Sequence, residues 1–139
     1  MDKLHIAKEI SISMPKVARR VLLEFFQQID IPQTQVLLIM ALYEHDGPVS
    51  FSVLSTVMHV SPPTMTGLVD RLEKGGYAKR QPSADDRRVI HVVLTNKGKE
   101  VGKKFRTIVS RRWKEILDKI PDKDAQSFLR IIKSIEEVL

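Results

Sequence analysis

Residues 61–98 read SPPTMTGLVDRLEKGGYAKRQPSADDRRVIHVVLTNKG, and the punctuation inside this stretch decides the fold. Ser61 ahead of Pro62 and Pro63 marks a helix start: serine caps free backbone N–H groups, and proline fits a first turn where its missing donor costs nothing. Leu68, Val69 and Leu72 then share one face, and Gly75-Gly76 ends the helix. Two strands are predicted next, 77–81 and 88–94, the second rich in β-branched residues, with Pro82-Ser83-Ala84-Asp85-Asp86 as the loop between them. Thr95 or Asn96 caps the helix that follows.

Upstream, Ser50 caps a short helix that runs to Met58, and His59-Val60 turns the chain toward Ser61. Histidine tolerates a positive φ, so His59 is read as a turn residue. Asp30 is the expected cap of an earlier helix, 32–45, with Val36, Leu37, Met40 and Leu42 apolar; Asp46-Gly47-Pro48 stops it. Two helices joined by a tight turn, the second opening with small polar residues and followed by a hairpin, form the layout of a helix-turn-helix with a wing.

Both chain ends carry long amphipathic helices. Leu4, Ala7, Ile10, Met14, Val17, Val21, Phe25 and Ile29 recur at three- and four-residue steps. Pro15 interrupts that stripe, so the expectation is a fresh helix capped by Ser13, or a kink, with the preceding residues as a separate arm. After Thr95, Val101, Phe105, Ile108, Trp113, Ile116 and Ile120 line a long helix; Pro121-Asp122 starts a last one bearing Phe128, Ile132 and Ile135. The predicted fold class is therefore mainly α with a small β wing. Residues 30–95 are the winged helix-turn-helix unit, residues 1–29 an N-terminal dimerisation helix or arm, and residues 96–139 the C-terminal dimerisation helices. A core of about 65 residues is marginal alone, and a two-fold homodimer is the commonest way to cover such stripes.

At 139 residues with 42% hydrophobic side chains, the chain fits one folded domain with helical extensions. It has no apolar run near the roughly 18 residues of a membrane span and no signal-peptide pattern, so no membrane partner and a cytoplasmic location are expected. Without cysteine there is no disulfide, thiolate nucleophile or Cys-ligated metal, and the histidines lack ligand-like spacing; no metal and no cofactor are expected. Phosphate-loop, nucleophile-elbow, zincin and dinucleotide-binding motifs are all missing, which argues against an enzyme.

The net charge of +6 resides in one quarter of the chain: residues 79–106 hold nine basic and three acidic residues, and the remainder is neutral. This is the footprint of a polyanion-binding face, although a solvated lysine-rich helix gives the same count. At the third helix, Ser61, Thr64 and Thr66 are short enough to reach base edges or phosphates beside a positive helix end. Pro62 and Pro63 add rigid apolar surface for a thymine methyl. The bland reading of the same residues is a capping arrangement with no partner. Lys79, Arg80, Arg87 and Arg88 bracket a loop too short and polar for a core. An arginine there can enter a narrow minor groove, held in one direction by Asp86, or form a surface ion pair of no consequence.

These stretches resemble the MarR family of bacterial winged-helix transcription regulators. Ile31-Pro32-Gln33-Thr34-Gln35-Val36-Leu37 is similar to that family's second helix, residues 61–77 to its recognition helix, and Asp86-Arg87-Arg88 with Val93-Leu94-Thr95-Asn96-Lys97-Gly98 to its wing and fifth helix. The resemblance implies an interlocked homodimer that represses or regulates transcription from a pseudo-palindromic double-stranded DNA operator. By the same resemblance the DNA-binding residues are Ser61, Pro62, Pro63, Thr64, Thr66, Arg71 (on phosphate), Asp86, Arg87 and Arg88, with Arg88 as the minor-groove arginine. Many members carry arginine where this chain has Gly67, which implies weaker or shifted base preference. Relatives bind aromatic effectors, and Trp113 with Phe25-Phe26 could line such a pocket between the dimer helices and the DNA-binding unit, or be plain core. The alternative to DNA binding is a winged-helix protein-interaction module whose basic wing meets an acidic partner.

Overall fold

The computed structural model describes every residue, Met1–Leu139. In chain order the elements are α1 (Lys3–Gln28), α2 (Gln33–Glu44), β1 (Val49–Ser50), α3 (Phe51–Met58), α4 (Pro62–Lys74), β2 (Ala78–Pro82), β3 (Ile90–Leu94), α5 (Asn96–Leu117) and α6 (Asp122–Val138). The mainly helical class with a small β wing is what the sequence predicts. The chain divides into two compact units, Gln28–Phe105 and the terminal segments Met1–Gln27 with Arg106–Leu139.

In the central unit, α4 packs on α2, α3 and β2, and the three-stranded antiparallel sheet has the order β1-β3-β2. Its core is Val36, Leu38 and Ile39 from α2, Leu54 from α3, Met65, Val69 and Leu72 from α4, and Val92 from β3, all essentially inaccessible. Burying such side chains contributes roughly 1.5 to 3 kcal/mol apiece. Leu37, by contrast, points outward at 54% exposure.

Most predicted caps hold. Val53 N–H donates to Ser50 Oγ at 3.2 Å, Thr64 N–H to Ser61 Oγ at 3.4 Å, and Gly98 N–H to Thr95 Oγ1 at 3.2 Å. His59 has φ 53°, the left-handed conformation the turn requires. Four expectations need correction. Asp30 caps nothing: Ile31 precedes proline and is excluded from helical geometry, so α2 starts after Pro32, whose carbonyl accepts from Gln35 and Val36 N–H. Pro15 starts no new helix, and α1 runs through it; that stretch is exposed, so water can serve the Ser11 carbonyl that proline leaves without a donor. The sheet has a third strand, β1, paired Val49 to Val92 and Ser50 to His91, and two residues are too few to show alternation. Finally, Tyr77, Arg88 and Val89 lie outside the strands, while Pro82 ends β2 opposite Ile90.

In the terminal unit, the Arg111 guanidinium donates to Glu24 Oε1 at 2.5 Å, and Trp113 meets Phe128 with ring centroids 5.6 Å apart. Val21 and Phe25 are buried, but no residue of α6 is. Apolar side chains stay exposed along both helices, among them Leu4 (65%) and Ile10 (51%) on α1 and Leu129 (60%) and Val138 (81%) on α6. No helix is long and apolar enough to cross a membrane.

Candidate nucleic-acid interface

The polar start of α4 follows from local chemistry. Ser61 ends the turn after His59 in extended backbone and caps the helix, and two prolines fill its first turn. Ser61, Pro62, Pro63, Thr64 and Thr66 are all exposed. Their hydroxyls are ordered within the helix: Ser61 Oγ lies 2.9 Å from Thr64 Oγ1, and Thr66 Oγ1 donates to the Pro62 carbonyl at 3.1 Å. A hydroxyl keeps accepting capacity while it donates once, so each can serve an outside donor without breaking these bonds. Arg71, one face round and nearer the C-terminus, is also exposed. The helix thus offers small polar groups and a positive dipole end at its start, with a cation farther along.

At Gly67, in the middle of the same helix, an added Cβ would meet nothing within 4 Å. Glycine costs a helix interior about 0.8 to 1.0 kcal/mol relative to alanine, so Gly67→Ala is expected to stabilise the protein by nearly that amount. A urea titration checks this, and a lower midpoint would mean that the backbone there is packed more closely than its open surroundings indicate.

The loop between β2 and β3 is built by side chain to backbone bonds. Asp85 and Asp86 N–H groups point to Ser83 Oγ, Val89 N–H donates to the Asp86 carbonyl at 3.0 Å, and Ser83 N–H donates to the Val89 carbonyl at 2.9 Å. Asp86 in turn holds Arg88 three ways: Oδ1 accepts from the Arg88 backbone N–H at 3.0 Å and from Nε at 3.2 Å, and Oδ2 accepts from a terminal guanidinium nitrogen at 3.2 Å. Those bonds, the side-chain one first, hold the Asp86 carboxyl below its usual pKa. Arg88 nonetheless remains 90% exposed. Its guanidinium is fixed in direction and open to solvent, the arrangement a groove-entering arginine needs. Arg87 beside it is exposed as well.

Two basic residues are used differently from the sequence expectation. Arg80 is no free wing cation: its guanidinium binds Asp70 Oδ1 at 2.5 Å and Glu73 Oε1 on α4, and sits 5.4 Å from the centroid of the Phe51 ring on α3. These carboxylates, the hydrogen bond to Asp70 foremost, raise the Arg80 pKa. The strand alternation gives a signal, since Arg80 shares the inner face of β2 with buried Ala78, but its partners seven and ten residues upstream are invisible in sequence. Lys97 likewise donates from Nζ to the Gly75 carbonyl at 2.7 Å, with the Tyr77 ring 4.6 Å away, and so closes the C-terminus of α4.

Trp113 lines a cavity of about 350 Å3 within the terminal unit, walled also by Ile10, Met14, Val17, Phe128 and Ile132. Phe25 and Phe26 do not line it; they stack edge to face at 5.1 Å, with Phe25 fully buried as core. No group of three or more His, Cys, Asp or Glu is placed to hold a metal ion.

The MarR family profile matches residues 31–90. The HTH-type transcriptional regulator YfiV of Bacillus subtilis is 37% identical over 76 residues, which are 55% of this chain; this chain spans about half of that relative's length, 47%. Among solved structures, the transcriptional regulator Tm0710 from Thermotoga maritima is 30% identical, with 96% of this chain and 91% of that one covered and a TM-score of 0.64. The S. aureus MepR–DNA complex is 18% identical with a TM-score of 0.68, covering 100% and 99% of the two chains, a likeness of fold.

Proposed function

The chain belongs to the MarR family, and on that footing we propose that it is a homodimeric transcription regulator that binds double-stranded DNA and represses by occupying a pseudo-palindromic operator. The observation that carries this reading is the exposed Arg88 guanidinium held by Asp86 in the same compact unit as an α4 start made of exposed Ser61, Pro62, Pro63, Thr64 and Thr66. Each subunit lays α4 in a major groove, with those five residues on bases or backbone and Arg71 on phosphate. Arg88 enters the adjacent minor groove, and Arg87 lies on the flanking backbone. The solved MepR–DNA complex, similar in fold along the whole chain, supports the choice of partner.

The exposed apolar stripes of α1 and α6 support the homodimer, because apolar surface of that extent is stabilised by a second copy that covers it. Control by a small aromatic effector is supported by the cavity beside Trp113 and Phe128 only where the second copy leaves it open, since Ile10 belongs both to its wall and to the exposed stripe of α1. Such a compound changes DNA occupancy only if it binds free and DNA-bound dimers with different affinity.

The test is to select duplexes from a random pool at near-physiological salt, then titrate the enriched sequence at several salt concentrations. The expected outcome is an inverted repeat with half-sites about one helical turn apart. Its log K should fall by about 0.9 per neutralised phosphate for each tenfold rise in salt. A folded dimer that enriches no sequence, and whose binding to the unselected pool shows only a shallow slope, would instead favour a winged-helix module whose basic wing meets an acidic protein.

A further inference from the structure

We propose that Arg80 is a positioning residue that fixes the angle of the wing relative to the recognition helix, so that Arg88 and α4 meet one duplex together. The inference rests on the DNA-binding reading above and adds to it a residue that touches no DNA.

Burial falls off along the hairpin. On the inner face of β2, Ala78 is 3% exposed, Arg80 is half-buried and Pro82 is exposed. Opposite them on β3 stand Leu94 at 7%, Val92 at 0% and Ile90 at 37%. The hairpin is therefore anchored by packing as far as the Arg80–Val92 pair. Beyond that pair it is an exposed arm that carries Asp86 and Arg88. A two-stranded arm has little stability of its own and twists readily, so its direction is set where it leaves the body.

Arg80 stands at that point and ties it to two other elements. Asp70 and Glu73 lie one turn apart on α4 and both accept from the guanidinium, while Phe51, the first residue of α3, lies beneath it. A guanidinium is planar and presents donors in a fixed fork, so two carboxylates from one helix turn define its orientation where a single ammonium would not. Arg80 also offsets two negative charges on the helix that must approach a polyanion. An ion pair with partners this exposed is a weak contributor to global stability, since Asp70 is 59% exposed and Arg80 33%. What the arrangement supplies is direction.

The test is a double-mutant cycle on duplex affinity with the full-length protein and its selected operator. Parent, Arg80→Met, Arg88→Ala and the double variant are compared, with amide hydrogen exchange on the free proteins alongside. Methionine keeps the apolar stem over Phe51 and removes the donors. Sites without shared contacts act independently to within about twofold, so a purely local role for Arg80 predicts losses that multiply. Positioning predicts instead that Arg88→Ala, which costs the parent roughly five- to 150-fold for one good groove contact, costs the Arg80→Met protein less than about threefold. It also predicts faster exchange of the β2 and β3 amides in Arg80→Met, relative to those of α2, and no such change in Lys79→Met. Multiplicative losses, or wing exchange equal to the parent's, would overturn the proposal. Should Arg80→Met fail to fold, Asp70→Asn with Glu73→Gln removes the same clamp from the helix side and is read by the same cycle. A parent protein that binds no duplex overturns the DNA-binding reading and, with it, a role in placing Arg88 on DNA; the exchange measurement still decides whether Arg80 clamps the wing.

Discussion

Gly98→Ala is expected to destabilise the protein by about 1 to 3 kcal/mol: an overpacking cost of about 1 to 3 kcal/mol and a broken hydrogen bond of about 1 kcal/mol, less about 1 kcal/mol gained in helix propensity. Gly98 lies in the first turn of α5, where its N–H donates to Thr95 Oγ1. A Cβ there would be driven into the Tyr77 carbonyl oxygen and would stand 2.9 Å from the Leu94 side chain. The carbonyl cannot yield easily. The Tyr77 carbonyl accepts from Thr95 N–H at 3.0 Å, and Ala78 pairs with Leu94 in the hairpin, so backbone movement breaks the joint between the hairpin and α5. The gain in helix propensity, about 1 kcal/mol, does not offset this. The same substitution thus takes opposite signs at two helical glycines, stabilising at Gly67 and destabilising at Gly98. A urea midpoint for Gly98→Ala equal to the parent's would show that the joint between β3 and α5 is looser than the geometry states.

Arg88→Ala is expected to lower operator affinity by about 1 to 3 kcal/mol per contact without unfolding the protein. The side chain is 90% exposed and its partner is a surface carboxylate, so its removal leaves no cavity and no buried charge. The salt slope should become shallower by about one per arginine removed. Unchanged affinity and slope would take the wing out of the mechanism. The orienting carboxylate also sets a pH window. Asp86 titrates below the usual carboxylate range because the Arg88 guanidinium and backbone N–H favour its charged form. A depressed carboxylate makes its contribution above its ordinary pKa and loses it as pH falls through the lowered value. The orientation of Arg88 is therefore complete at neutral pH and lost only in acid.

Much of this molecule was legible from sequence because its signals act over three or four residues. Ser50, Ser61 and Thr95 each accept from a backbone N–H three residues ahead, His59 takes the left-handed turn by its own φ, and Asp86 reaches Arg88 two residues on. The apolar steps along α4 likewise placed Leu68, Val69 and Leu72 inside. Such contacts are fixed by local backbone geometry, so a chain read in order contains them. Even there, competition misleads: Asp30 is a good capping residue, yet Pro32 decides where α2 begins because ring closure outranks one side-chain hydrogen bond.

Tertiary structure alone decided what depends on elements meeting. Arg80 reads as one more wing cation until β2 lies beside α4 and delivers it to Asp70 and Glu73. Lys97 reads as part of a basic helix until it reaches the Gly75 carbonyl 22 residues back. Two residues of β1 become a strand only when β3 offers them a partner. Gly98 is an ordinary helical glycine in sequence and the tightest joint of the hairpin in space. Charge and steric fit at these places act through distance in three dimensions, and sequence separation carries no information about that distance until the chain has folded.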